Sequence, residues 1–502
     1  MWFTFSGFGE TYASMSLATA KARRWEGLAS KNYVPIREIS TKELWRLSTE
    51  FLVLQNEAGG LVVSTEASIK SIPKARWIRI IPPTIIIYII AYMDRMNVSF
   101  AIAGGMSKEL EMSMAASGLA AGIFFFGYLV LQVPGGYLAE HKSAKRFILW
   151  SIIGWGLTSM LTGLAQNEWQ LLAARFALGV AEGGVFPAVL VILSNWFPRS
   201  EIGRANALFV SSMAISSAVT NPFSGWIVYS YGWRYLFFIE GGVSLLLIFI
   251  WLPLISDRPA EAKWISKEEK EYLVNTLAAE KAEAASNMTA KNWTFRQMLT
   301  DKTLWIMVVS YICFTAGQNG YSMWLPTILK DLTSLSLANV GFLASIPFIV
   351  AIGGTYIFGS LTDRFGNPRF YAAVVLWCFS GFLFLSMQFP GKVLLSFGLL
   401  VITGGFLKAY NAPFWSMQSL VFPAGMAGAS RGVINALGNL GGFIGPFFVG
   451  WISSSTGDMK YGVYSLVALL AFGGCTTMLL PAITARKKRN APTGIQPVSK
   501  ID

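Results

Sequence analysis

The sequence predicts an all-α membrane protein whose twelve transmembrane helices form two pseudo-symmetric halves of six helices each. Hydrophobic residues make up 54% of the 502 residues and charged residues only 13%, which is far from the composition of a soluble domain. Mainly apolar windows of about 18 or more residues recur along the chain, and about 20 residues cross a bilayer as a helix. Motifs of the first half also return in the second half in the same order.

Hydropathy places the twelve helices, which we number spans 1 to 12 in chain order. They are predicted near residues 79–103, 115–138, 146–165, 169–194, 203–228, 235–255, 303–327, 337–361, 369–390, 394–421, 431–455 and 462–484. A long polar segment separates spans 6 and 7, and Ser266 and Glu269 within it have the spacing of a helix-capping box. We therefore expect a surface helix at about 266–281.

A repeated pattern relates the two halves. The matched residues are Phe197, Pro198, Arg204, Pro222 and Gly225 in the first half and Phe422, Pro423, Arg431, Pro446 and Gly450 in the second, at offsets of 224 to 227. A loop motif at 136–140 is echoed at 359–363. Parallel repeats are one known plan of transporters, and solute sites in that plan lie between the repeats near the membrane midplane.

The chain is accordingly divided into five parts. Residues 76–255 and 303–485 are the two six-helix halves, 256–302 is a cytoplasmic central loop and 486–502 is a basic cytoplasmic tail. Residues 1–75 form an N-terminal extension that lacks both a long apolar run and the pattern of a signal peptide. Two interpretations of this extension stay open, a disordered cytoplasmic tail and sequence upstream of the true start.

Basic residues are distributed unevenly along the chain. The net charge of +13 would suggest a nucleic-acid partner in a soluble protein, but here Lys and Arg concentrate before span 1, after span 12 and in alternate loops. The positive-inside rule then places both termini in the cytoplasm. We expect a multi-pass protein of the plasma (cytoplasmic) membrane that contacts the lipid bilayer and binds no nucleic acid.

The sequence offers little for catalysis or metal binding. His141 is the only histidine and lies in a loop, which leaves no histidine-based metal site or catalytic dyad. Cys313, Cys378 and Cys475 lie in apolar spans without the spacing of metal ligands. A phosphate-binding loop is also missing, which argues against ATP-driven transport. We expect neither enzymatic activity nor a cofactor or metal site.

Four charged residues lie within apolar spans, Asp94 and Arg95 in span 1 and Arg175 and Glu182 in span 4. A charge near the bilayer centre costs roughly 2.5–3.5 kcal/mol on insertion scales, so such residues face a protein interior or a water-filled cavity. Because carboxylates can carry protons and guanidiniums can hold an anion, we assign Asp94 and Glu182 to proton coupling and Arg95 and Arg175 to the solute. Arg175 and Glu182 are seven residues apart and share a helix face. Structural ion pairing between the two spans is the alternative.

Several motifs resemble those of a known transporter superfamily. The loop motif between spans 2 and 3 and its copy between spans 8 and 9 resemble the major facilitator superfamily, over about residues 76–486. Tyr92 to Asn97, Arg175 to Pro187 and Asn435 to Asn439 look like the span 1, span 4 and span 11 motifs of the anion:cation symporter family. Leu254 to Trp264 is similar to the central loop of its bacterial sugar-acid and aromatic-acid members. The resemblance implies transport of an anion with protons or sodium.

Two features depart from the pattern of that family. The middle of span 5, Ser211 to Ser217, lacks the polar solute ligand that members commonly offer there, and span 10 carries the mid-span charge Lys408. Lys408 either contacts a second solute group or reaches toward an interface. Both departures can shift substrate choice.

Further polar and aromatic side chains are candidates for the solute cavity, with helix-to-helix hydrogen bonding as the alternative. Together with Arg95 and Arg175, the predicted substrate-binding residues are Tyr92, Tyr128, Gln132, Gln318, Tyr321, Lys408, Trp415, Asn435 and Asn439. Charges at the two loop motifs suit breakable gating contacts, unless they form a plain solvated cluster. The predicted gating residues are Glu140, Lys145, Arg146, Asp363 and Arg364. Gly118 and Gly122 are expected to be packing contacts.

The sequence thus predicts a secondary active transporter that imports an organic anion, such as a sugar acid or an aromatic or other carboxylate, by proton symport with alternating access. Sodium is the alternative coupling ion, and we expect a monomer. The alternative function is a proton-driven exporter of drugs or metabolites. The two arginines of the first half favour anions over lipophilic cations, and hence the importer.

Overall fold

The structure is a computed structural model that describes residues 74–286, 295–389, 391–422 and 424–480. Nearly all of the predicted N-terminal extension and the whole of the basic tail lie outside these ranges. The described residues form helices joined by short connections, with no strand among them. Their architecture is the all-α one expected from the sequence.

The first half contains spans 1 to 6, of which spans 4 and 6 are each built from two helices. The helices are Ala75–Ala103 (span 1), Met106–Glu109, Met114–Leu138 (span 2), Ala144–Gly163 (span 3), Glu168–Glu182 and Val185–Trp196 (span 4), Arg199–Tyr231 (span 5), and Trp233–Leu246 and Ile248–Leu254 (span 6). A π-helical turn, Ala139–Ser143, links spans 2 and 3.

The second half contains spans 7 to 12, of which spans 10 and 11 are each built from two helices. Its helices are Lys302–Thr333 (span 7), Leu337–Phe365 (span 8), Pro368–Ser386 (span 9), Val393–Gly404 and Asn411–Val421 (span 10), Ala424–Gly438 and Leu440–Thr456 (span 11), and Met459–Met478 (span 12). By length and composition, eight described helical segments can cross a membrane, and one of them, Met114–Gly163, covers spans 2 and 3. Spans 5, 7 and 10 complete the twelve.

The central loop carries a helix, Lys267–Ser286, where the sequence predicts one. It is attached to the first half through Arg76, at the start of span 1. The Arg76 guanidinium is buried and lies 2.8 Å from Glu201 of span 5 and 2.6 Å from Glu269 of the loop helix. Two carboxylates around one guanidinium satisfy its fork of donors. The loop helix is therefore a fixed part of the first half.

The two halves meet at one end of the bundle, which we call the closed end and which carries the connections 104–113 and 334–336. Spans 2 and 11 approach so closely that a Cβ atom at Gly118 would lie 2.5 Å from the carbonyl oxygen of Pro446. A Cβ atom at Gly225 of span 5 would lie 2.5 Å from the carbonyl oxygen of Leu337. Only glycine allows such a backbone approach. The packing role expected for Gly118 is confirmed, and the packing joins the halves.

Hydrogen bonds between the halves are also found at the closed end. Asn221 Nδ2 donates to the carbonyl of Ala344 at 3.0 Å, and Lys330 Nζ donates to the carbonyl of Ala103 at 2.6 Å. The opposite end, called the basic end, begins with residue 75 and carries the connections 139–143 and 366–367. Between described residues, no hydrogen bond or ion pair joins the halves at this basic end. The polar contacts between the halves lie at the closed end and around Tyr92 and Gln132.

Candidate functional site

The candidate site is built on span 1, where Asp94 and Asn97 face the interior of the first half and Tyr92 and Arg95 lie toward the second half. Asp94 is fully buried and accepts hydrogen bonds from Ser159 Oγ at 2.6 Å and Ser244 Oγ at 2.8 Å. Ser159 belongs to span 3 and Ser244 to span 6. Because a buried carboxylate needs donors around it, these hydroxyls fix Asp94 between three spans.

Arg95, the next residue, forms an ion pair with Glu182 of span 4. Arg95 Nη2 lies 3.1 Å from Glu182 Oε2, and the two side chains are 11% and 1% exposed. Arg95 Nε and Glu182 Oε1 are buried, and neither has a hydrogen-bond partner in the described part of the chain. The guanidinium carbon also lies 4.8 Å from the centroid of the Tyr128 ring and 5.6 Å from that of Tyr92. The pair thus retains one free donor and one free acceptor.

The helix of span 4 ends at Glu182 and restarts at Val185 after two glycines. A Cβ atom at Gly179 or Gly183 would collide with the backbone of span 2 near Phe124 and Tyr128. This close approach brings the end of the first helix of span 4 against the aromatic side chains that surround Arg95. Interrupted helices near the midplane are a recurrent way to build transporter sites.

Arg175 occupies a different environment from the one the sequence predicts. It is fully buried, and its Nη1 and Nη2 atoms donate to the backbone carbonyls of Asp94 and Arg95 at 3.1 and 3.4 Å. Both terminal nitrogens are therefore used within the first half, which argues against the predicted contact with a solute carboxylate. The shared helix face of Arg175 and Glu182 is confirmed, since both contact span 1.

Glu240 of span 6 is a site residue that the sequence interpretation missed. It is fully buried and accepts from Asn97 Nδ2 at 2.9 Å and Ser224 Oγ at 2.8 Å. Asn97 Nδ2 also lies 3.4 Å from Asp94 Oδ1, so one amide lies between two carboxylates. The signal was available, because Glu240 is an acidic residue within an apolar span, like Asp94. Three carboxylates and two guanidiniums thus surround the middle of span 1, from Asp94, Glu182, Glu240, Arg95 and Arg175.

Lys408 brings a charge of the second half to the same place. It lies in the connection between the two helices of span 10, and its Nζ is 5.9 Å from the centroid of the Tyr92 ring. Lys408 is half-buried. Of the second-half residues predicted at the site, Asn439 also reaches the first half, since its Nδ2 donates to Gln132 Oε1 at 3.3 Å.

The remaining predicted cavity residues lie on the second half. Trp415 packs edge-on against Tyr311, and the Arg431 guanidinium lies over its indole ring. Gln318 and Asn435 are half-buried. Tyr321 does not line the cavity: it is 1% exposed, and its hydroxyl donates to the carbonyl of Leu400 at 2.8 Å. That prediction is wrong because this face of span 7 packs against span 10.

The predicted gating residues lie at the basic end. Glu140, Arg146, Asp363 and Arg364 are exposed, and no ion pair joins them to the opposite half within the described ranges. Lys145 Nζ donates to the carbonyl of Leu252 in its own half. The charged residues of the two loop motifs are therefore not paired across the halves in this conformation. Their gating role stays a prediction.

Comparison with known proteins agrees with this arrangement. A family model described as Major Facilitator Superfamily matches residues 84–446, most of the chain. The chain belongs to the Major Facilitator Superfamily. It is accordingly a multi-pass membrane transporter and not an enzyme, as the sequence predicts. The resemblance to the anion:cation symporter type is confirmed by curated relatives named for tartrate, galactarate or D-glucarate, and sulfoacetate.

Three relatives illustrate the similarity. A "Quinolone resistance transporter" of Acinetobacter baumannii is 32% identical over 82% of this chain and 95% of its own length. A "Putative tartrate transporter" of Agrobacterium vitis is 32% identical over 80% of this chain and 89% of its own length. A "Probable galactarate/D-glucarate transporter GudP" of Escherichia coli is 26% identical, over 76% and 89%.

A solved structure of a bacterial homologue of the human lysosomal transporter Spinster, described as inward-facing and occupied, has the same fold. It superimposes with a TM-score of 0.68 at 16% identity, over 81% of this chain and 97% of that chain. At this identity the likeness concerns the fold alone. It supports the arrangement of twelve spans in two halves.

Proposed function

We propose that this chain imports a small organic carboxylate together with protons, by alternating access across the bacterial cytoplasmic membrane. The observation that supports this most is the Arg95–Glu182 pair, buried between spans 1 and 4 at 3.1 Å. It combines an anion-binding group with a group that can hold a proton. The relatives named for tartrate and for galactarate or D-glucarate support an organic anion as the solute.

Coupling follows from competition for Arg95. While Glu182 is ionised, its carboxylate occupies the guanidinium, and a solute carboxylate would bring a second negative charge into the same low-dielectric site. When Glu182 takes up a proton, the ion pair is lost and the Arg95 fork is free for the solute carboxylate. Release of the solute lets Arg95 attract Glu182 again, so the proton leaves. One proton then accompanies one carboxylate.

Other groups of the first half position Arg95 or share in the proton coupling. Arg175 positions the backbone at Asp94 and Arg95. Asp94 and Glu240 share Asn97, and we assign Asp94 to proton coupling through this buried pair. The basic end is cytoplasmic under the positive-inside rule, so the described halves lack polar contacts with each other at their cytoplasmic end. Rocking of the two halves would separate the glycine contacts of spans 2 and 5 and open the closed end.

Uptake into proteoliposomes tests this function. An inward proton gradient should drive accumulation of L-tartrate or galactarate, and an uncoupler should abolish it. Glu182→Gln should lose gradient-driven accumulation but retain exchange of solute across the membrane, because exchange needs no net release of the proton. Glu111→Gln, which changes an exposed carboxylate in the connection between spans 1 and 2, is the matched control. Accumulation that needs sodium and survives the uncoupler would assign the coupling to sodium.

Export is the second candidate function, favoured by the relative named for quinolone resistance. Tyr311, Phe414 and Trp415 form an aromatic cluster in the second half, with Tyr311 and Phe414 stacked at 5.0 Å between ring centroids. Trp415 is the half-buried member of this cluster, and its indole could stack on a planar aromatic solute. The direction of accumulation under an imposed pH gradient separates the two functions, since an exporter would move a quinolone against the proton flux.

A further inference from the structure

Lys408 is a membrane-embedded cation of the second half. No carboxylate forms an ion pair with it in the part of the chain that the structure describes. Its ammonium group faces the Tyr92 ring of the opposite half, 5.9 Å from the ring centroid. Since a charge at this depth is unfavourable unless it is compensated, Lys408 needs a negative group that the described residues do not supply.

Arg95 approaches the same ring from the first half. Its guanidinium carbon lies 5.6 Å from the Tyr92 centroid, so Arg95 and Lys408 are separated by at most about 11.5 Å, the sum of their distances to that centroid. The two cations differ in one respect. Arg95 has the Glu182 carboxylate, whereas among the described residues Lys408 faces an aromatic ring and no carboxylate.

An aromatic ring compensates a cation only partly, and here one ring lies beside two cations that repel each other. An anionic group beside each cation would offset the repulsion between the two cations. It would also give Lys408 the negative partner that it lacks among the described residues. Lysine presents a compact point charge rather than a planar fork, so its ammonium group can bind a carboxylate or a sulfonate in several orientations. The arrangement therefore suits a solute that carries negative charge at both ends.

We propose that Lys408 is the second anion contact of the transport site and that it selects solutes with two anionic groups joined by a short chain. This inference rests on the proposed function, because it takes Arg95 as the contact of the first carboxylate. A solute with one anionic group would leave Lys408 uncompensated. A solute with two groups would bridge the halves, since Arg95 belongs to span 1 and Lys408 to span 10.

Binding to the purified full-length protein tests the inference with two matched pairs of acids. L-tartrate and galactarate carry two carboxylates, and L-threonate and galactonate carry a hydroxymethyl group in place of one of them. Isothermal calorimetry should give an affinity for each diacid at least about tenfold above that for its partner. Lys408→Met, which keeps the length of the side chain but removes its charge, should weaken diacid binding at least about tenfold and change monoacid binding less than about threefold.

Two further variants serve as controls. One keeps the positive charge at position 408, and the other makes the lysine-to-methionine substitution at a different position. Lys408→Arg should retain the preference for diacids because it retains the cation. Lys392→Met makes the same substitution at an exposed lysine just before span 10 and should bind all four acids like the parent.

The outcomes separate this inference from the proposed function. Equal binding of mono- and diacids by the parent, or an equal loss of both in Lys408→Met, would overturn the role of Lys408 and leave the proposed function standing. Lack of binding of all four acids, together with lack of proton-driven uptake, would overturn both. Selective loss of the diacids in Lys408→Met alone supports the inference.

Discussion

The two halves share a fold but stabilise their interiors in different ways. In the first half, spans 1, 4 and 6 bury the ionisable residues Asp94, Arg95, Arg175, Glu182 and Glu240. The matching spans 7, 10 and 12 instead join hydroxyl groups and aromatic rings. Tyr410 of the second half hydrogen-bonds Ser310 at 2.6 Å, and Ser310 hydrogen-bonds Thr477. A repeated fold therefore tolerates two kinds of polar interior.

This difference shows which charges are free to act on a solute. Each fully buried charge of the first half needs partners, and Asp94, Arg175 and Glu240 find them in neighbouring spans. Around Tyr92, in the middle of the bundle, Arg95 and Lys408 approach the boundary between the halves from opposite sides. Position at that boundary, rather than burial alone, distinguishes the candidate solute contacts from supporting residues.

Substitution of Arg175 is expected to destabilise the folded protein more than any other substitution predicted here. Arg175→Ala removes the donors to two carbonyls of span 1 and leaves the three buried carboxylates with one guanidinium. Removal of one partner from a buried charge network destabilises by about 3–5 kcal/mol. The variant should show a strongly lowered melting temperature in detergent, or little monodisperse protein.

Arg364→Ala is the matched control in the second half. Arg364 is exposed and lies over the Phe365 ring, so its loss should cost about 1 kcal/mol or less. Equal destabilisation by the two arginine variants would contradict the distinction between the halves.

Substitution of Glu240 is expected to cause the next largest loss of folding stability. Glu240→Ala leaves Asn97 Nδ2 and Ser224 Oγ without their main acceptor, and each buried donor without a partner costs about 1–3 kcal/mol. Glu240→Gln keeps an acceptor oxygen, so it should destabilise the protein by less than half as much as Glu240→Ala. Thermal unfolding of both variants measures the difference. If the two destabilise the protein equally, the Glu240 charge matters more than its hydrogen bonds.

Hydropathy and the internal repeat were enough to predict the order of the twelve spans, because about twenty apolar residues are required for each crossing. They did not predict that spans 4 and 10 are interrupted. The signals were the glycine pairs at 183–184 and 404–405, which a hydropathy window averages with their apolar neighbours. Both interruptions matter, since Glu182 and Lys408 lie at them.

The site was predicted in part for a related reason. Charges within apolar spans indicated Asp94, Arg95, Glu182 and Arg175 correctly as buried residues, and the same rule applied to span 6 would have indicated Glu240. Which group each one contacts depends on helix rotation and on neighbouring spans, and sequence spacing does not contain that information. Tyr321 illustrates the limit, because its hydroxyl bonds a carbonyl of span 10 instead of facing the cavity.

A smaller loss of folding stability is expected when the hydroxyl network of the second half is disrupted. Tyr410→Phe removes the hydrogen bond to Ser310 but keeps the ring that stacks on Phe314 at 4.6 Å between centroids. The loss of one neutral hydrogen bond should cost about 1 kcal/mol, with little change in uptake. Tyr461→Phe, at an exposed tyrosine of span 12, is the control for the same substitution. A loss of transport in Tyr410→Phe at unchanged melting temperature would show that the second half also contains coupling groups.

The smallest contribution to folding stability is expected from Glu109, a charged residue of the first half that lies outside the spans. Trp233 Nε1 donates to Glu109 Oε2 at 2.6 Å, and Arg234 lies 3.0 Å from Oε1. The hydrogen bond from Trp233, followed by the contact with Arg234, lowers the pKa of Glu109 below its ordinary value of 4.5. Because the side chain is half exposed, the contribution should be about 0.2–1 kcal/mol.

The sign of the pH dependence at Glu109 follows from the lowered pKa. The folded protein binds this proton less readily than the unfolded chain, so the stabilisation is complete above pH 4.5 and is lost as the pH falls through the lowered pKa. Glu109→Gln should therefore melt slightly below the parent at neutral pH, and the difference should shrink in acid. High salt should reduce it too, since exposed pairs are screened. A difference as large as that of Arg175→Ala would mean that depth in the membrane does not determine how strongly a charge of the first half supports the fold.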